Sequence, residues 1–221
     1  MRAVVRVALV ALLLAVASCA SGQHPAPSPP AVQPVAPPPA PCAGQGCTPG
    51  TPIPLTGGYS VRLWSFPTPT VTSSATPVVE LSHDGQHAGW WVGRLGFGWA
   101  AKLTCLAGST PNCMVTSALG AHAGSAETLF LRNGALVSPP RASVVFDSSA
   151  PTAADLDSDG LLDVAGMEND YKPNYALGHN YWATYRQSGA ALHRTGCSPA
   201  TGVPQPPTVL LHGPCPTVSQ G

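Results

Sequence analysis

Apolar and polar positions along residues 55–215 alternate in short runs, and almost nowhere do they recur at the three- and four-residue spacing of a helix. Tyr59–Phe66 (YSVRLWSF) alternates cleanly. Pro77–Ser82 leads into Asp84-Gly85, and Ala88–Val92 follows, which predicts a hairpin. Thr128–Leu131, Asn133-Gly134 and Ala135–Val137 predict a second hairpin with the same turn chemistry. Ser143–Phe146 and Leu162–Met167 read as strands on either side of an acidic loop. Tyr181–Arg186, Ser188-Gly189 and Ala190–Arg194 predict a last hairpin. Gly, Pro, Ser and Thr interrupt every helical candidate, so the pattern predicts an all-β domain of short antiparallel strands in a meander.

The first 54 residues follow other rules. Met1–Ser18 carries Arg2 and Arg6 and then an apolar run from Val7 to Ala17. A charged start and an apolar stretch of that length describe an export signal; the run is too short for a membrane-spanning helix. It ends in Val16-Ala17-Ser18-Cys19, which resembles the lipobox of bacterial lipoproteins. That resemblance implies that residues 1–18 are removed and that Cys19 is the lipidated residue. The mature chain would then be anchored to the cell membrane on its extracytoplasmic side.

Residues 19–54 are the expected stalk. Pro25–Pro41 holds nine prolines in seventeen residues, a composition that stays solvated and favours polyproline II. At about 3.1 Å per residue, Ala20–Pro41 spans roughly 65 Å when extended. Residues 216–221 form a short tail.

Cysteine usage agrees with export. Of seven cysteines, six remain once Cys19 is set aside, an even number suited to an oxidising compartment. Six cysteines permit fifteen arrangements, of which proximity suggests Cys42/Cys47, Cys105/Cys113 and Cys197/Cys215. None has the spacing of a redox or zinc motif, so they read as staples of the β domain. Removing Arg2 and Arg6 leaves 8 basic against 10 acidic residues, a net charge of −2. Without a basic stripe, nucleic acid is not an expected partner.

Seven of the ten acidic residues lie between Asp147 and Asp170, a window with no Lys, Arg or His. Like charges so close in sequence repel unless something neutralises them. Four follow a strict pattern: Asp155, Asp157 and Asp159, then Gly160 for the sharp bend, and Asp163 (DLDSDGLLD). Alternation aims three carboxylates into one concavity, and the Leu161 carbonyl can face inward beside them. Hard oxygen donors in that number suit Ca²⁺. An EF-hand would need a glutamate at the twelfth position and flanking helices; Gly166 stands there, between strand-like flanks.

A strand, DxDxDGxxD and a second strand resemble the FG-GAP or VCBS repeat of integrin α-subunit propellers and bacterial surface proteins. The likeness extends over residues 128–188, which read as one blade and the start of the next. It implies calcium held by Asp155, Asp157, Asp159 and Asp163 with the Leu161 carbonyl, in a partial β-propeller-like or blade-like domain. A closed propeller needs at least four blades, about 200 residues or more, and the chain holds one intact loop.

Other features carry less chemistry. His83 and His87 flank Asp84-Gly85, a turn on which they point apart. Trp90, Trp91, Phe97 and Trp99 (WWVGRLGFGW) suggest a carbohydrate platform or, more plainly, one core ring and one partly exposed ring. Tyr171, Tyr175, Tyr181 and Trp182 follow the acidic loop, as a ligand-binding edge or as its closure over the metal. No nucleophile elbow, HExxH or P-loop is present. The reading is a cell-surface lipoprotein with a calcium-stabilised β module. It would bind a protein or polysaccharide ligand or serve envelope structure, without intrinsic catalysis. The alternative is a secreted hydrolase or accessory enzyme using Glu80, Asp84, Glu127 or Glu168.

Overall fold

Two Asx-Gly turns organise the early hairpins. Asp84 and Gly85 adopt φ of 48° and 76°, and Asn133 and Gly134 adopt 50° and 75°. Positive φ at both central residues defines a type I′ turn, whose twist matches that of the strands it joins. The structure, a computed structural model, describes Cys42 and residues 46–66, 76–94, 99–106, 112–120, 122–147, 151–200 and 205–217, all within one compact unit. The expected export signal with Cys19, the proline-rich stretch to Pro41 and Phe97 lie outside the described residues, as does the Trp99 side chain. Among the described residues no helix is long and apolar enough to cross a membrane.

The protein is all-β, in three successive antiparallel meanders. The first sheet contains β1 (Thr48–Pro49), β2 (Ile53–Pro54), β3 (Tyr59–Ser65), β4 (Val78–His83) and β5 (Gln86–Val92), ordered β1-β3-β4-β5 with β2 also on β3. The second contains β6 (Trp99–Leu106), β7 (Asn112–Gly120), β8 (Ala123–Arg132), β9 (Ala135–Val137) and β10 (Ser143–Phe146), ordered β10-β8-β7-β6 with β9 on β8. The third is β11 (Thr152–Ala154), β12 (Asp163–Asn169), β13 (Asn180–Ser188) and β14 (Ala191–Cys197), in that order. Among the described residues the sheets form no closed barrel. Residues 128–188 cover the end of the second sheet and the start of the third. β1 and β2 fall inside the stretch whose composition suggests a stalk; their backbones pair with β3, and Cys42 is already buried.

The hydrophobic clusters show how the layers meet. Val61, Leu63, Val79, Leu81 and Trp91 of the first sheet pack on Cys113, Val115 and Leu129 of the second. The alternate residues of the second sheet, Met114 and Ala126, join Phe146 against Val164, Tyr181, Ala183 and Tyr185 of the third. The middle sheet therefore has no solvent face along most of β7 and β8, and it buries Thr116, Ser117, Ser125 and Thr128 among its apolar residues. At Gly166 on β12 the ring of Phe146 lies where a Cβ would stand, so this position accepts no side chain without displacing the core.

Each outer sheet is covered by a disulfide-closed segment. Cys42 and Cys47 pair and cluster with Trp64, Val78 and Trp90 on the far side of the first sheet. Beyond the third sheet, Leu210 and Leu211 pack against Ala165, Met167 and Trp182. That strap is fixed by Cys197–Cys215 and by the Cys197 N–H donating to the Gly213 carbonyl at 3.0 Å. The Gly196 backbone approaches Leu211 and His212 too closely for a side chain. Cys105–Cys113 joins residues directly opposite on β6 and β7. All three bridges follow sequence proximity.

Candidate functional site

The acidic loop runs from the end of β11 to the start of β12. Ser158 and Gly160 adopt φ of 62° and 81°, which turns the chain back twice. The carboxylates fold the loop by accepting its own N–H groups. Asp155 accepts from Asp159 at 3.1 Å and Gly160 at 3.0 Å, Asp157 from Asp159 at 3.3 Å, and Asp159 from Leu161 at 2.9 Å. Each still has free lone pairs, and Asp155, Asp157 and Asp159 offer one oxygen apiece within 4.8 Å of the others.

Asp163 has a different role. It is fully buried, and its two oxygens accept the backbone N–H of Leu156 at 3.0 Å and of Gln187 at 2.9 Å. It ties the loop to its own base and to β13. Burial raises its carboxyl above the ordinary value, against those two hydrogen bonds and with the negative charges of Asp157 and Asp159. Leu161 is half-buried, and its N–H serves Asp159.

A basic partner arrives from outside the sequence window. Arg186 on β13 places Nε 2.8 Å from Asp157 and Nη2 2.9 Å from Asp159. Desolvation pushes the Asp159 carboxyl up, but the Arg186 hydrogen bond and charge and the Leu161 N–H hold it below the ordinary value. The sequence shows no sign of this contact, because it depends on the β12–β13 register.

Structure also disperses the acidic crowd that the sequence suggests. β12 is seven residues long, about 20 Å, and separates the loop from two further groups. On its inner face Glu168 accepts from Arg194 Nη2 at 2.6 and 2.7 Å, from the Tyr181 hydroxyl at 3.0 Å and from the Tyr185 hydroxyl at 2.7 Å. At its far end Asp147 accepts from the Tyr171 hydroxyl at 2.7 Å, and its carbonyl accepts from the Tyr175 hydroxyl. The carboxylate partner and burial push the Tyr171 phenol up to about 12. Asp170 accepts the His179 and Lys172 N–H groups, with the His179 N–H first in holding its carboxyl below the ordinary value. Tyr171 and Tyr175 thus gather at the opposite end of β12 from the acidic loop, while Tyr181 and Trp182 belong to the cores on either face of the third sheet.

The remaining candidates separate. His83 stacks on Tyr59 at 4.2 Å, whereas His87 lies across the sheet beside Trp90 and Glu80. Trp91 is in the core between the first two sheets; Trp90 is half-buried on the other face, edge-on to Trp64. Among the four carboxylates weighed for hydrolysis, each buried one has its own arginine: Glu80 with Arg62 at 3.2 Å, Glu127 beside Arg94 at 3.8 Å, and Glu168 with Arg194. Asp84 is exposed on a turn. Comparison with protein-family models, with curated proteins and with solved structures finds no match to this chain.

Proposed function

We propose that the chain is an exported, lipid-anchored cell-surface protein. In this reading, calcium bound at Asp155, Asp157 and Asp159 stiffens its β domain, which binds a ligand or serves envelope structure without chemistry of its own. The observation that carries the metal reading is the spacing of the carboxylate trio. Calcium–oxygen distances of 2.3–2.6 Å let two ligand oxygens stand up to about 5 Å apart, and the three oxygens lie within 4.8 Å of one another. An oxygen-only donor set suits a hard cation. Asp163 supports the loop by anchoring it through the backbone, and the Leu161 carbonyl and water would complete the shell. When bound, the ion supplies cross-linking charge between β11 and β12.

Binding to the folded state alone stabilises it by about 2.7 kcal/mol at a hundredfold excess over Kd, a rise of roughly 5–10 °C in Tm for a domain this size. Calorimetry with calcium and then with excess EGTA is expected to show that difference, and Asp157→Ala is expected to remove it. Superimposable melting curves in the two conditions would sink the metal reading.

The anchor rests on Val16-Ala17-Ser18-Cys19 and the stalk composition. Cys19→Ala is expected to move the protein from the membrane fraction to the soluble one. Retention in membranes would refute lipidation at this residue.

A further inference from the structure

Arg186 is a cation that the fold itself delivers to the loop. It lies one residue beyond the Val164–Tyr185 pair, so the β12–β13 register brings it level with Asp163. Its neighbour Gln187 is pinned there by the N–H bond to Asp163, which limits how far the Arg186 backbone can move. Its guanidinium then engages the Oδ2 atoms of Asp157 and Asp159. These are the oxygens left over by the loop's own turns, since the Oδ1 atoms accept N–H groups of Asp159 and Leu161. A divalent ion on the same carboxylates competes with the guanidinium for their negative charge.

Resting on the calcium reading above, we propose that Arg186 is a tethered competitor that sets how strongly the loop holds a divalent cation. A guanidinium remains charged at every physiological pH. An incoming ion therefore displaces one or both arms of the fork, or shares the carboxylates against like-charge repulsion. Displacement is accessible because the Arg186 side chain is 48% exposed and can swing into water with little desolvation. The exchange weakens binding without disturbing the Asp155, Gly160 and Asp163 bonds that shape the loop. It moves the site toward the range of about 10⁻⁴–10⁻³ M in which extracellular modules operate. In such a compartment a tighter site would be saturated permanently, whereas this one responds to concentration.

The test is titration calorimetry with calcium chloride on the full chain, comparing wild type with Arg186→Gln, Arg186→Lys and Asp157→Ala. Arg186→Gln is expected to bind calcium roughly three- to tenfold more tightly, the scale of two exposed ion pairs. Arg186→Lys, whose single ammonium cannot span both carboxylates, is expected to lie between it and wild type. Asp157→Ala is expected to give no binding heat. Equal or weaker binding by Arg186→Gln, with wild type still binding, overturns the competitor role and leaves the calcium reading standing. No binding by wild type or by either arginine variant overturns both. If Arg186→Gln does not fold, Arg186→Lys carries the comparison, and affinity equal to or below wild type overturns the proposal.

Discussion

Replacing Cys197 and Cys215 together with serine is expected to lower stability by about 3 kcal/mol, a fall of roughly 6–12 °C in Tm. The bridge closes a loop of 18 residues, and that separation sets the entropy it removes from the unfolded chain. The folded state is affected as well. Leu210 and Leu211 cover Ala165, Met167 and Trp182 only because the strap is held across β14. Among the described residues, the Cys197–Gly213 backbone bond and the Leu211 N–H on Thr184 at 2.9 Å still hold the strap when the bridge is gone. Guanidinium unfolding of the double variant is expected to show the lost stability, and an apolar dye is expected to bind its folded state where wild type binds none. Unchanged unfolding with no dye signal would mean that the strap holds without its staple.

The second large effect is at Glu168. Glu168 is 6% exposed, and its two oxygens share Arg194 Nη2 and receive two tyrosine hydroxyls, while Arg194 Nε donates to the Tyr185 hydroxyl. Burial raises the Tyr181 and Tyr185 phenols well above their ordinary value, so both remain donors across the physiological range. Arg194→Ala leaves a buried carboxylate whose cation is gone while its neutral donors stay. Removing one member of a buried pair costs about 3–5 kcal/mol. The lower end applies here, because the Arg194 side chain is 40% exposed and its pair with Glu168 is partly screened. Arg194→Lys restores charge without the second donor that reaches Tyr185 and is expected to recover part of the loss. Denaturant midpoints for the two variants check this, and a cost below about 1 kcal/mol for Arg194→Ala would show that the tyrosines alone suffice.

The contrast between these networks and the acidic loop shows what could be read in the chain. Hairpins closed by Asp84-Gly85 and Asn133-Gly134 were legible because the turn chemistry is local and admits few alternatives. β12 and β13 were legible from their apolar and β-branched residues. β7 was not, because a strand buried on both faces loses its alternation. Thr116 and Ser117 there look like surface residues until two neighbouring sheets cover them. β1 and β2 are two residues each and contain Pro49 and Pro54, which reads as breaker composition. The carboxylate trio was legible from its spacing. Arg186 and the backbone role of Asp163 were not, because both depend on which residue of β13 lies beside β12.

For a chain anchored by its N-terminus, as proposed, the order of the three layers sets which part of the domain faces outward. Cys42, the first described residue, lies against the outer face of the first sheet, while the Asp155–Asp163 loop leads into the third. Packed sheets lie about 10 Å apart, so two layer spacings carry the loop roughly 20 Å beyond the first sheet. A protein held by its N-terminus would keep its first sheet inboard and offer its third to whatever approaches from the medium. Distance from the anchoring surface would then come from the domain's own thickness as well as from the length of the chain that holds it.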